Sequence, residues 1–297
     1  MIFTNKHNLP RPYYLAASID SYDKGQADYS ITQLIGPPQI SRLTSGNSDK
    51  LETDVADLMW NLTGKAFHTL LEKYDDEACL IEKRLFMLVD GKTISGQIDR
   101  LSKENCLSDW KSTSVWSVIY GRQDASRSRF DDYDKQLNCY AYLLRQNGHE
   151  VKKIEAWLIL RDWQTNEAKR SAQRGSYYPE IPFYIHEAKM WSEADQEDYI
   201  RERIQIHQLD STEKPWNCTD DERWTQPTKY AVMKEGRKTA LRVLDSRDSA
   251  CDWISENGHE RGVKGIGIEV RPGRYTRCED YCDAAPFCPQ FNKQEAT

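Results

Sequence analysis

The stretch from Glu82 to Thr113, EKRLFMLVDGKTISGQIDRLSKENCLSDWKST, constrains the fold more than any other part of the chain. Asp90-Gly91 sits where a two-residue hairpin turn belongs, and the polar run Lys103 to Asn105 marks a second turn, so three antiparallel strands follow one another. Before them, Val55, Leu58, Leu62, Ala66 and Leu70 recur at helical spacing, which predicts a long amphipathic helix over 54–75, broken near Gly64. After them, Asp131 to Asn147 reads as a helix stopped by Asn147-Gly148, and KKIEAWLILRDW reads as a further strand. Glu187 to His207 reads as one more helix. The order helix, three strands, helix, strand implies an α/β fold, a central mixed sheet flanked by helices. Residues 1–53 form an arm with a short helix starting at Ser30 or Ile31, 54–210 the core, and 211–297 an accessory region.

Strand periodicity puts Asp109 and Lys111 on one face and Ser108 and Trp110 on the other. Asp99, on the preceding strand, converges on Asp109 if the hairpin register permits. Two carboxylates side by side repel unless a cation holds them, and hard oxygen ligands suit Mg²⁺ or Mn²⁺. Lys111 would then orient or deprotonate a water, or stabilise charge developing on a phosphoryl group. Taken alone, an Asp/Lys pair on an exposed strand is worth little. Its company adds weight: His68 stands on the preceding helix with Glu72 one turn further on, and Gly64, one turn earlier, offers that helix a close approach to the sheet. Gln136 and Tyr140 share one face of the later helix, an amide and a phenol suited to phosphate oxygens or a base edge.

The ordered set GxxxH (Gly64 to His68), GxxD (Gly96 to Asp99), DxK (Asp109 to Lys111) and QxxxY (Gln136 to Tyr140) resembles the PD-(D/E)xK nuclease superfamily, and within it the RecB-like and CRISPR-adaptation exonuclease branch. The resemblance spans about residues 54–162. It implies a restriction-endonuclease-like core, metal coordination by His68, Asp99 and Asp109, water activation by Lys111, and positioning of substrate or lysine by Gln136 and Tyr140. Many relatives carry Glu at the position of Asp109. The overall pattern is similar to tailed-phage exonucleases, which implies a Mg²⁺- or Mn²⁺-dependent DNA exonuclease of phage DNA recombination or degradation in a bacterial host. A recombination or single-strand-binding protein would be a further partner. The rival readings are a structure-specific or single-strand endonuclease and a catalytically silent DNA-binding module.

The tail RCEDYCDAAPFCPQ carries Cys278, Cys282 and Cys288 at C-x3-C-x5-C. Three thiols so close in an intracellular chain point to a metal, with Cys218 as fourth ligand and Cys251 or His207 as its competitors. Zinc fits four cysteines. The triplet also resembles the 4Fe-4S cluster of several nucleases of this branch, where the fourth cysteine usually lies nearer the N-terminus. Cys79, Cys106 and Cys139 read as ordinary core residues. Between Cys218 and Cys278 the pattern reads as a cysteine-clipped ββαβ unit whose hairpin carries Lys234, Arg237 and Lys238, a set of phosphate-binding cations or a solvated basic edge. A net charge of −6 argues against wholesale wrapping of nucleic acid and leaves room for a local basic path. No apolar run reaches about 18 residues, so the chain reads as cytoplasmic, with no membrane partner.

Overall fold

The computed structural model describes residues 2–19, 25–75, 77–123, 130–209, 217–257 and 265–295. The chain divides into two compact units: residues 1–41 with 48–216, and residues 42–47 with 217–297.

The first unit is mixed α/β, with a central mixed sheet flanked by helices. In chain order it holds β1 (Ile2–Thr4), α1 (Arg11–Ser18), β2 (Tyr29–Ser30), α2 (Ile31–Ile35), the start of α3 (Pro38–Gly46), β3 (Glu52–Asp54), α4 (Met59–Lys73), β4 (Ala78–Val89), β5 (Lys92–Ser102) and β6 (Cys106–Thr113). It continues with α5 (Val115–Gln123), α6 (Phe130–Gln146), β7 (Lys153–Leu160), α7 (Thr165–Arg174), β8 (Phe183–Glu187) and α8 (Glu193–Gln208). The strands run β2-β5-β6-β7-β8, with β4 on the other side of β5. β4, β5 and β6 are antiparallel, β6 and β7 parallel, and β7 and β8 antiparallel. Asp90 and Gly91 both take positive φ at the β4–β5 turn, the conformation a tight two-residue hairpin requires.

Helix α6 covers the sheet because Tyr133, Leu137, Tyr140, Ala141 and Leu144 recur along one side of it and are buried. At Gly96 on β5 a Cβ would come within 2.6 Å of Leu143 Cδ2 and 2.8 Å of Tyr140 Cε1, so the absent side chain lets α6 settle against the strand. Ile31, Leu34, Ile94, Ile98, Leu158 and Ile200 complete the core. Helix α8 starts at Ser192, whose side chain accepts from Asp195 N–H, and buries Ile200, Ile204 and His207.

Several local expectations are corrected. The 54–75 segment opens as a 3₁₀ turn at Val55–Leu58 and then runs unbroken through Gly64 as α4, which buries no residue; Leu70 is exposed. Nothing lies within 4 Å of a Cβ built on Gly64, so that glycine serves no close approach. Cys79 is exposed, Cys106 half-buried, and only Cys139 is a core residue.

The second unit contains β9 (Thr225–Gln226), β10 (Lys229–Lys234), β11 (Arg242–Leu244), α9 (Arg247–Glu256), β12 (Ile266–Arg271), β13 (Arg274–Tyr275), α10 (Thr276–Asp280) and α11 (Pro289–Glu295). The antiparallel sheet β11-β10-β12 packs Val232 against Ala250 and Ile254 of α9, a ββαβ arrangement with a small core. The Lys234–Arg237 turn places Gly236 at φ 80° and leaves Lys234, Arg237 and Lys238 exposed. Among the described residues, no helix is long and apolar enough to cross a membrane.

Candidate functional site

Strand register decides the site. Ile81↔Arg100 and Lys83↔Ile98 place Glu82 opposite Asp99, and Arg100↔Ser108 with Leu101↔Leu107 makes Asp109 the next residue opposite Asp99 on the other side. Three carboxylates therefore stand side by side across β4, β5 and β6. Like charges directly opposite one another on a sheet are destabilising, so the row needs compensation. At Asp99 the β5–β6 ladder gives way: Trp110 N–H donates to Asp99 Oδ2 at 2.7 Å. On the opposite face of β6, Trp110 packs edge-on against Trp157 of β7, which holds the strand while its other side turns to the site.

Two cationic or ionisable groups flank the row. His68, from α4, sets Nδ1 3.0 Å from Glu82 Oε1 and 3.7 Å from Asp99 Oδ2. At the other end Lys111 Nζ lies 2.6 Å from Asp109 Oδ2, a contact of charge rather than of well-directed hydrogen bonding. Glu82 is further fixed by Gln97 Nε2, which donates to its Oε2 at 2.7 Å, and Gln97 Oε1 in turn accepts from Arg84 at 2.8 Å. Glu82 does this from φ 46°, a left-handed strand residue of the strained kind that gathers at functional sites. His68, Glu82 and Asp99 bring one ligand atom each to within 4.8 Å of one another, a spacing suited to one cation. A cavity of about 240 Å³ opens here, lined by Lys65, His68, Glu82, Gln97, Asp99 and Tyr140 among others. Tyr140 accepts from Gln136 Nε2 at 3.1 Å.

The electrostatics follow. Burial, and then the charge of Asp109, push the Asp99 carboxyl up to about 7. Burial alone would lower Lys111, but Asp109 and Asp99 outweigh it and raise the ammonium above its ordinary value. His68 is raised chiefly by its bond to Glu82. Burial works against ionisation of Glu82, yet its bonds to His68 and Gln97 hold it below the usual carboxylate range. Tyr140 is pushed up to about 12 by burial and by Asp109, so the phenol stays a donor. Asp99, Asp109 and Lys111 thus meet where the sequence expectation put them, with His68, Tyr140 and Gln136 around them. Glu82 was missed, and it, rather than Glu72, is the acid on His68. The donor set fits a divalent cation: hard oxygens, one imidazole, and more negative charge than Lys111 alone offsets.

In the second unit, Cys218 is pushed up to about 12 by burial, with Cys288 and Cys278 in electrostatic reach; Cys282 is raised by burial and lies in reach of the same two. Gln290 clamps Cys218 from both sides, its Oε1 accepting from Cys218 N–H at 3.1 Å and its Nε2 donating to Cys218 C=O at 2.9 Å. Arg277 donates from Nη1 to Glu222 C=O at 3.1 Å, so both ends of the ββαβ segment are tied together. Among the described residues no three of these sulfurs lie within 4.8 Å of one another. His207, one competitor for the fourth ligand, instead sets Nε2 3.0 Å from Leu34 C=O.

No family model matches the sequence, and no curated protein matches it. A solved structure titled "Crystal structure of SSO0001" is similar over 64% of this chain and 81% of that one, at 15% identity and a TM-score of 0.42.

Proposed function

We propose that this chain is a divalent-metal-dependent deoxyribonuclease of the PD-(D/E)xK type, with a restriction-endonuclease-like core, acting as an exonuclease in phage DNA recombination or degradation inside the host cytoplasm. The observation that carries the reading is the row of Glu82, Asp99 and Asp109 across three adjacent strands, bracketed by His68 and Lys111. A binding module has no use for three carboxylates held against one another. His68, Glu82, Asp99 and Asp109 would hold Mg²⁺ or Mn²⁺, which supplies Lewis-acid polarisation of a phosphoryl oxygen and activation of water. Lys111, whose ammonium form Asp109 and Asp99 favour, would donate to a phosphate oxygen and offset the charge that develops there, or activate the attacking water. Tyr140 and Gln136 orient that side of the phosphate as neutral donors.

For the four cysteines we infer a structural metal centre. Four thiolates suit either a 4Fe-4S cluster or Zn²⁺. The exonuclease reading is tested by incubating linear and covalently closed circular DNA, each in single- and double-stranded form, with the protein and Mg²⁺ or Mn²⁺. Loss of a linear form alone is expected. Nicking or cutting of a circle identifies an endonuclease, and no cleavage of any of the four refutes a nuclease.

A further inference from the structure

Helix α4 brings His68 to the carboxylate row, yet it lacks the usual means of holding a helix on a sheet. Among the described residues none of its side chains is buried, and none of its apolar residues packs against the buried cluster of the first unit; Leu62, Phe67 and Leu71 are only half-buried. Helical stability in a folded chain comes mainly from such packing, so α4 depends on other contacts. Near its start Arg161 sets its guanidinium 4.4 Å from the Trp60 ring centroid, and Lys65 Nζ donates to Ile19 C=O at 3.0 Å. Trp60 and Lys65 are both exposed, so water competes for these two contacts. Just past the end of α4, Asp75 Oδ2 accepts from Arg100 Nε at 2.5 Å, and there water is largely excluded: the Arg100 side chain is 7% exposed and that of Asp75 15%. Arg100 also lies 5.1 Å over the ring of Trp157. The other Asp75 oxygen accepts from the N–H groups of Glu77 and Ala78 at 3.2 and 3.1 Å, which fixes the carboxylate in the connection between α4 and β4.

Arg100 directly follows Asp99 on β5, and Asp75 follows His68 by seven residues, about two helical turns. The ion pair therefore closes a circuit: from His68 along α4 to Asp75, across to Arg100, back one residue to Asp99, and from Asp99 Oδ2 3.7 Å to His68 Nδ1. A buried ion pair adds little stability that apolar packing could not supply, and its best-attested use is to select one arrangement over others. We propose that Arg100 is a positioning residue, which through Asp75 holds α4 where His68 reaches Glu82 and Asp99. This rests on the cation-site reading above and adds how that site is assembled. Its three carboxylates come from adjacent strands of one sheet, whereas the imidazole comes from a helix and depends on a separate tie. Arg100 acts through His68 and touches no reacting atom.

The full chain is compared with Asp75→Asn, which keeps the oxygen that Glu77 and Ala78 use and loses the charge against Arg100, and with Arg100→Met, which keeps a stem beside Trp157 and strands no buried cation. Hydrogen exchange in EDTA is expected to be at least about ten-fold faster along α4 in both variants and unchanged in β5 and β6. Titration calorimetry with Mn²⁺ is expected to give about ten-fold weaker binding for each, as for other partners that orient a metal ligand. In a His68→Ala background the same substitutions should weaken Mn²⁺ binding no further, because they act through the imidazole; a general loss of packing would add its full effect there too. Unchanged exchange in α4, exchange that accelerates equally in β5 and β6, unchanged Mn²⁺ affinity, or an equal further loss beside His68→Ala would each overturn the proposal. Exchange needs no metal, so the two readings fail separately: a wild type that binds no Mn²⁺ while α4 responds sinks the cation site and leaves α4 held by the pair, and Mn²⁺ binding by both variants at wild-type affinity sinks the positioning role alone.

Discussion

Asp99 carries the pH behaviour of the site. Its carboxyl ionises near pH 7 in the folded chain, whereas an aspartate in an unfolded chain ionises near about 3.9. A folded pKa above the unfolded one stabilises the protein at low pH and loses that stabilisation as pH rises, here between about 4 and 7, at up to about 1.4 kcal/mol per unit. The raised His68 acts in the same direction. A bound cation favours the ionised carboxylate and cancels the loss. Mn²⁺ is therefore expected to raise the melting temperature more at about pH 8 than at about pH 5.5; equal shifts at both would contradict the assignment. Glu82→Gln should weaken Mn²⁺ binding in a calorimetric titration, because it removes one of three charges. The residues legible in the sequence were those whose spacing alone sets their face: Asp109 with Lys111, Gln136 with Tyr140. Glu82 was equally available. It and Asp99 each stand seven residues from the Val89↔Lys92 pair that closes the Asp90-Gly91 turn. Its bond to His68 was not available, since it depends on how α4 docks on β4.

Two glycines separate what elements need from what they tolerate. Gly96→Ala would drive a methyl to within 2.6 Å of Leu143 and 2.8 Å of Ile31 and Tyr140, all packed side chains, and is expected to cost about 1–3 kcal/mol in denaturant unfolding while displacing Tyr140. Gly64→Ala meets open space on a helix and should be neutral or stabilise by up to about 1 kcal/mol. The reverse outcome for the pair would show that α4, not α6, is the helix seated on the sheet. Elements with both pattern and punctuation were legible: β4 to β6 from their turns, and α6 from its apolar stripe and the Gly148 stop at φ 81°. α4 misled because helical spacing of apolar residues forecasts burial, while here Trp60 and Leu70 face outward. α7, with a mean composition that is strongly polar, offered no apolar stripe to read.

At the scale of the whole molecule, the second unit buries few apolar side chains among its described residues, and a metal centre would add support to that core. Cys218→Ser is expected to make residues 217–297 protease-sensitive, and Cys251→Ser to leave them unaffected; anaerobically purified protein should be brown with broad visible absorbance, and a colourless sample with stoichiometric zinc would replace the cluster by Zn²⁺. Neutralising Lys234, Arg237 and Lys238 together should lower the salt slope of DNA binding by roughly one for each phosphate that these cations pair with, and an unchanged slope would leave the hairpin a solvated edge. The claim on which all of this rests is that Glu82, Asp99 and Asp109 form a cation site serving phosphodiester hydrolysis. It is tested most directly by the rate of DNA cleavage in Mn²⁺ for wild type and Asp109→Asn, a change that removes one charge and no volume. Wild type should cleave only with the divalent cation and Asp109→Asn should be slower by at least about two orders of magnitude; cleavage that persists in EDTA, or an Asp109→Asn enzyme as fast as wild type, would contradict it.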